Sequence, residues 1–496
     1  SEAKALLALP GFERRIEPAF FLGPGMGLPD TARSPFAGIR SVRAGHLLTV
    51  DASGERERCW WTPRFPGGGP STLDEAGEAL RTALRRAVRR RVGGDVPIAL
   101  ALSSGLDSAI VAALATEVRS DLRAFTVAWP DRPYDEATAA AATARHLGLA
   151  HEPVPCTVEQ LAEGFLDGMH ATGVPTNNLS TTARLAMARA VRASGAKALT
   201  GGEAADEIFG GYPYFGLEAI WRDLARGEPG ARTALRTFEA EERPSRGVFW
   251  SGGRGWERTP PWLGHPSTVH LRALRAETEL SRLLSRSARA ELAGRTPLEA
   301  LGAELDVARL RTLAPFDAAR VVSRSVFGTF VVPALGDGVE MAASLEGRVP
   351  FLDREVVDLA YALPQELCVA PATYLRKRVL RHAFADRLPE GFRAPPKHTW
   401  MAPTFRELGA TATGRALFAD LLSDRAVRDA GLLSRRTVRA ALAAWRWWPA
   451  RGARFPHVDG VVGYLLSVQA LHHVHVRTPP RTRTLTAWVD RTPAVA

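Results

Sequence analysis

The sequence predicts an α/β protein in which a parallel-sheet domain runs into a helical carboxy-terminal part and is preceded by a shorter β-rich segment. Three observations predict it. Apolar runs of strand length, PIALAL (Pro97–Leu102), AFTVAW (Ala124–Trp129) and AKALTG (Ala196–Gly201), are separated by Ala-rich helical stretches, the alternation that builds parallel sheets. From about residue 215 onward the pattern is mainly helical. Residues 1 to about 65 instead carry turn-rich, strand-like segments, among them GHLLTVDASGERERCWW.

Taken in order, the opening SEAKALLALPG starts on a helical pattern, and PRFPGGGPS (Pro63–Ser71) is a Pro/Gly linker that marks a domain boundary. The chain therefore divides into residues 1–66, a main domain over 67–480 and a tail over 481–496. Just past the linker, Thr72 and Glu75 form a capping box, and Leu73, Leu80, Leu84 and Val88 follow on one side of a helix. The three strands come next. A Pro/Gly/Trp-rich stretch at residues 242–267 interrupts the helical part. There is no internal repeat.

Hydrophobic content of 46% and charged content of 24% describe an ordinary globular protein. No apolar run approaches the roughly eighteen residues of a membrane span, so no membrane partner is expected. Cys59, Cys156 and Cys368 are scattered, without metal-ligand spacing, and read as reduced structural thiols of a cytoplasmic protein. The net charge of +11 raises nucleic acid as a partner. Its arginines, as in RRAVRRR (Arg85–Arg91), lack the interleaved aromatics of a strand-binding groove and read as a solvated helix face. No nucleic-acid partner is expected. His472, His473 and His475 lack supporting Cys or carboxylates at ligand spacing and read as packing or surface residues. Only four of the 64 basic residues are lysine: Lys4, Lys197, Lys377 and Lys397. A chain that uses Arg almost everywhere keeps Lys where a compact ammonium is needed.

The stretch LALSSGLDSAIVAAL (Leu100–Leu114) carries the chemistry. A buried strand that ends in Ser and Gly and then enters a helix presents unpaired N–H groups and a positive dipole end, which together make an anion site. Gly105 allows close backbone approach, and Ser103, Ser104 and Ser108 add hydroxyls. Asp107 makes sense beside phosphate if it holds Mg²⁺. The GxxxxGK[ST] loop of common NTPases is absent. The string TGGEAADEIFGGYPYF (Thr200–Phe215) again places Gly at a strand end. If both strands are parallel, Asp206 and Glu207 sit beside the first loop, and Asp107 and Asp206 can share Mg²⁺.

The first loop resembles the pyrophosphate loop of ATP pyrophosphatases, Ser-Gly-Gly-x-Asp-Ser, with Ser104 in place of a Gly. Thr200–Phe215 resembles the asparagine-synthetase signature Gly-Glu-Gly-x-Asp-Glu-x-Phe-Gly-Gly-Tyr, with Ala204 in place of a Gly. Further blocks of that family are resembled by Pro133–Val154 with its Asp135-Glu136, by Met341–Pro364 with EGRVPFLD, and by Lys377–Trp400. The resemblance covers about residues 97–400 in family order. It implies a PP-loop, adenine-nucleotide α-hydrolase-like fold and an ATP-dependent carbon–nitrogen ligase that makes an acyl-adenylate and releases AMP and pyrophosphate. Residues 1–66 resemble the last part of the family's glutaminase domain. The chain is thus expected to begin partway through that domain, without its nucleophilic Cys, and Ser1 is not read as a replacement.

The resemblance also implies roles. ATP is expected on Leu102, Ser103, Ser104, Gly105, Leu106, Asp107, Ser108, Val127, Gly201, Gly202 and Glu203, and Mg²⁺ on Asp107 and Asp206. Lys397 and Lys377 match the lysines near the phosphates. Glu346 matches an acidic residue that handles the substrate or the attacking amine, with Arg348 as its electrostatic partner. Among relatives, asparagine synthetase joins ammonia to aspartate, β-lactam synthetases close a ring within a small molecule, and lasso-peptide cyclases join a peptide's Asp or Glu side chain to its amino terminus. The complete EGRVPFLD block is unlike β-lactam synthetases. The residues 242–267, WRWW (Trp445–Trp448) and the positive charge suit a peptide, so the expected reading is a lasso-peptide cyclase, with asparagine synthetase second. Its expected partners are a precursor peptide, a leader peptidase and a leader-recognition protein. A nucleic-acid-modifying pyrophosphatase is disfavoured because no RNA-binding module or catalytic Cys pair is visible. A non-catalytic binding protein is disfavoured by the retained Asp107, Asp206, Lys377 and Lys397.

Overall fold

A computed structural model describes residues 2–22, 32–65, 67–241, 282–392, 401–447 and 456–478. Near its amino terminus, strands β1 (His46–Asp51) and β2 (Gly54–Cys59) form an antiparallel hairpin. Five further strands make one wholly parallel sheet: β3 (Ile98–Ala101), β4 (Arg123–Ala128), β5 (Ala150–Pro155), β6 (Ala198–Thr200) and β7 (Glu346–Arg348). Their order is β5-β4-β3-β6-β7. Strands β3, β4 and β6 are the three apolar runs of the sequence. β5 and β7 were not anticipated, for physical reasons. AHEPVP carries two prolines, which a strand tolerates only where a partner's hydrogen bond is not required, and β5 lies at the sheet edge. β7 spans three residues, Glu-Gly-Arg, with no apolar signal at all.

The helix Leu73–Val92 begins with the expected capping box: the Thr72 side chain accepts from the Glu75 N–H and Glu75 reaches back to Thr72. Leu80, Leu84 and Val88 are fully buried, while Leu73 is half-buried. Its arginines are ion-paired across to other elements: Arg85 with Glu117 (3.0 Å), Arg86 with Glu355 (2.7 Å), and Arg90 and Arg91 with Asp353 (2.8 and 2.6 Å). Asp353 is also the N-cap of the helix Arg354–Ala362, and Phe351 is buried, so this part of the EGRVPFLD block packs and starts a helix.

The buried apolar residues described ahead of the linker join a core that extends into the main domain. Leu7, Ile16, Phe20, Phe21, Phe36 and Ile39 share one apolar core with Phe165, Met169 and Tyr464. The β1–β2 hairpin is the exception, exposed along almost its whole length, with Leu47, Leu48 and Val50 facing solvent. The helical run Pro315–Ala342 has the length and apolar composition of a membrane span. Its Arg320 is fully buried, donates to the Ala360 (2.6 Å) and Leu363 (3.3 Å) carbonyls and pairs with Asp317 (2.5 Å), as a core helix does.

His475 is buried against Phe36 and stacked on His170, with ring centroids 5.2 Å apart. Burial, reinforced by His170, pushes its imidazole down to about 4. Burial likewise raises the Cys156 and Cys368 thiols to about 11. Cys59 is exposed, so it is not the structural thiol expected. Trp445 is buried, stacks on Phe418 and donates to Asp459 (2.9 Å), whereas Trp447 is exposed. Residues 242–267, Trp448 and the tail from 481 lie outside the described residues.

Candidate active site

Strands β3 and β6 are neighbours, yet the chain leaves them in opposite directions, through β4 and β5 on one side and through β7 on the other. Such a switch point opens a crevice at the carboxyl ends of the strands. The register Leu100↔Thr200 sets the Ser103–Ser108 loop directly beside the turn Gly201–Asp206.

The first loop is knitted by its own hydroxyls. Ser108 Oγ accepts from the Ser103 N–H (3.1 Å) and lies 3.0 Å from Ser103 Oγ, which accepts from the Gly105 N–H (3.1 Å). These serines hold the loop's shape as well as offering hydroxyls. Leu102 is locked to β4, donating to the Phe125 carbonyl (2.9 Å) and accepting from Thr126 Oγ1 (2.6 Å). Val127, on β4, and Leu106, which opens the next helix, are buried. The helix Leu106–Thr116 starts at Gly105 with no side-chain cap, which leaves its first N–H groups to an anion. Ser104 takes up no positive φ, and its N–H donates to Glu136 (3.3 Å), so the replacement of Gly there costs no backbone strain. Asp135 braces the next loop by accepting from the Trp129 N–H (2.7 Å).

The second turn is tighter. Ala204, which also replaces a Gly, sits at φ +73°, a left-handed conformation unfavourable for any residue with a Cβ. A Cβ on Gly202 would lie 2.6 Å from the Asp107 Cβ and 2.5 Å from the Ser108 nitrogen, so only Gly lets the two loops touch. At Gly211 a Cβ would collide with both Asp206 and Lys377.

Lys377 closes the floor of the crevice. It caps the helix Arg378–Ala383 in a left-handed conformation (φ +55°) and is 5% exposed. Its Nζ donates to Asp107 Oδ2 and, at 2.6 Å, to Asp206 Oδ1. Burial works against the ammonium, but the charges of Asp107 and Asp206 outweigh it and hold the amine above its ordinary value. The two carboxylates therefore converge on one cation. Completed by phosphate oxygens and water, the same pair is a donor set that suits Mg²⁺; among the described residues no group of three or more His, Cys, Asp or Glu gathers around a metal position. Glu207 next door is buried and accepts from Tyr212 Oη (2.6 Å). Burial, then the Asp206 charge, push its carboxyl up to about 7.

The rim of the sheet is β7, which pairs with β6 so that Arg348 lies against Thr200 at the carboxyl end and Glu346 against Ala198 at the amino end, its N–H donating to the Lys197 carbonyl (3.0 Å). Arg348 makes two bonds of 3.1 Å to Glu346 and donates to the Arg91 carbonyl (2.8 Å). The Glu346 side chain is 62% exposed, and the hydrogen bond from Arg348 holds its carboxyl below the usual range. Lys397 lies outside the described residues. Nothing in the residue pattern points to Arg184 and Glu340. Arg184 pairs with Glu203 (2.7 Å) and Glu340 (3.3 Å) and donates to the Leu335 carbonyl (2.8 Å). One Arg among sixty on an Ala-rich helix carries no signal that could have found it.

Residues 79–462 match the family model described as asparagine synthase. The chain is 26% identical over 302 residues to the amidase chyE of Penicillium rubens, covering 58% of this chain and 44% of that protein. To the amidase chry2 of Gibberella zeae it is 26% identical over 298 residues, covering 57% and 44%. To asparagine synthetase B (glutamine-hydrolyzing) of Escherichia coli it is 34% identical over 96 residues, covering 19% and 17%. The chain spans less than half the length of each of these relatives.

Proposed function

The chain belongs to the asparagine synthase family, and from that premise we propose that it is an ATP-dependent, amide-forming ligase that activates a carboxylate as its adenylate. The observation that carries this reading is the meeting of Asp107, Asp206 and Lys377 where two parallel strands diverge. The Ser103–Ser108 loop and the Gly201–Gly202 turn receive the phosphates on their backbone N–H groups. Asp107 and Asp206 would hold Mg²⁺, which supplies charge neutralisation on the phosphates when bound. A substrate carboxylate oxygen attacks the α-phosphorus, the α–β bond breaks and pyrophosphate leaves. Lys377, and Lys397 from beyond the described residues, oppose the negative charge that builds there. An amine then attacks the acyl carbon and AMP leaves. Glu346, exposed on the rim of the sheet and fixed by Arg348, is the group proposed to orient that amine and to take its proton. Because its carboxyl is held low, orientation is its stronger role.

In its finer form the proposal is a lasso-peptide cyclase: the carboxylate is an Asp or Glu side chain of a precursor peptide and the amine is that peptide's amino terminus, closing a macrolactam. The open position of Glu346 supports a substrate too large to be enclosed, and the intact EGRVPFLD block argues against a β-lactam synthetase. A leader peptidase and a leader-recognition protein are the partners such a reaction calls for. The second reading is asparagine synthetase, favoured by the 34% identity to asparagine synthetase B over 96 residues.

One mass measurement separates the two. Incubated with Mg²⁺-ATP and a precursor peptide encoded beside this gene, the protein is expected to yield a peptide lighter by one water. Asparagine formed from aspartate and ammonium, with the peptide unchanged, would establish the second reading. Lys397→Ala is expected to abolish either product with the fold intact.

A further inference from the structure

Arg184 projects from the helix Ser180–Ala193 and is 14% exposed. Its Nη2 is shared between two carboxylates, Glu203 at 2.7 Å and Glu340 at 3.3 Å, while its Nε donates to the Leu335 carbonyl at 2.8 Å. The three partners come from different parts of the crevice. Glu203 belongs to the turn after β6 and folds back over Gly201, where a Cβ would lie 2.5 Å from its carboxylate. Glu340 is on the helix Asp337–Ala342, which leads into β7, and its carboxylate lies so close to Gly347, between Glu346 and Arg348, that a Cβ there would collide with it. Leu335 ends the preceding helix.

We infer that Arg184 is a positioning residue: through its ion pairs it ties the phosphate-facing Gly201–Glu203 turn to the segment carrying Glu346 and Arg348, holding the two halves of the site in one register. The inference rests on the nucleotide-site reading proposed above. Arg184 itself lines neither loop. It acts through Glu203 on the turn, and through Glu340 on the strand that presents the amine-handling pair. A guanidinium suits the task because its fixed fork reaches several acceptors at once, which an ammonium does not.

The tie is sensitive to protons. Around Glu340 stand Arg184 on the neighbouring helix, Glu203 on the turn after β6 and Asp337 on its own helix; strand β7 presents Gly347 to it, with Glu2 and then Glu346 acting on Asp337. Burial raises the Glu340 carboxyl to about 7, against the pull of Arg184. Above that pH Glu340 is charged and the tie is complete. As pH falls through it, Glu340 takes a proton and holds Arg184 by no more than a neutral hydrogen bond.

The test is the KM for ATP, measured between pH 6 and pH 8 for the wild type, Glu340→Gln, Arg184→Lys and Arg184→Met, alongside equilibrium binding of Mg²⁺-ATP and thermal unfolding. Glu340→Gln fixes the neutral state. It is expected to raise the KM for ATP by roughly 10-fold at pH 8 and to match the wild type at pH 6. Arg184→Met is expected to lose more, and Arg184→Lys to recover part of it. A Glu340→Gln deficit of the same size at every pH, or none at any, would overturn the inference, as would full activity in folded Arg184→Met. If the wild type itself binds no Mg²⁺-ATP, the nucleotide-site reading fails, an outcome distinct from either of these.

Discussion

The floor of the crevice and the rim of the sheet are built on opposite principles. On the floor, Lys377 is almost wholly buried between Asp107 and Asp206, and glycines at 202 and 211 are required by contact. On the rim, the Glu346–Arg348 pair stands on a three-residue strand with its carboxylate largely in solvent. Buried charges must be matched inside the fold, so folding assembles the floor, whereas an exposed pair contributes little stability and is free to serve the substrate. On the proposed reading, packing fixes the nucleotide side of the site, and the choice of acceptor and amine falls to the open side.

This contrast is most easily broken at Lys377. Lys377→Met leaves two facing carboxylates without their cation. It is expected to remove ATP turnover and to destabilise the protein by about 3–5 kcal/mol, read by denaturant unfolding. Unchanged stability would mean that the floor is not built as described. Gly202→Ala pushes a methyl group into the Asp107–Ser108 backbone, and kcat/KM for ATP should fall about 100-fold while the protein still folds. On the rim, Glu346→Gln is expected to lower kcat by roughly 10- to 100-fold with stability within about 0.5 kcal/mol of the wild type. A large loss of stability there would erase the difference between the two regions. The smallest effect is expected from the two positions where Gly has been replaced. Ala204→Gly relieves about 1–2 kcal/mol of left-handed strain but loses a buried methyl worth about 0.8 kcal/mol and adds about 0.5–1 kcal/mol of backbone entropy to the unfolded chain, so thermal unfolding should move by less than about 1 kcal/mol. Ser104→Gly relieves nothing and should cost about 0.5–1 kcal/mol.

The floor was legible in the sequence, because strand-loop-helix logic alone puts Asp107 beside Asp206 once β3 and β6 are parallel, and Lys377 stands out in an Arg-rich chain. Other parts were written in terms a sequence does not display. β5 hides behind Pro153 and Pro155, and β7 is too short to have a period. The ion pairs of Arg184 depend on residues 19 and 156 positions away, a separation that no local pattern encodes. The linker at 63–71 suggested a separate amino-terminal unit, yet Phe20, Phe21 and Phe36 pack into the main core, because the apolar residues of that segment find their partners in the helix Phe165–Thr172 and near Tyr464.

The central claim is that this floor directs attack to the α-phosphorus of ATP. It is tested most directly by identifying the nucleotide released when Mg²⁺-ATP is supplied with the precursor peptide and, separately, with aspartate and ammonium. The account predicts AMP and pyrophosphate in equal amounts with whichever substrate is used, and neither from Lys377→Met. Release of ADP and phosphate instead would contradict it.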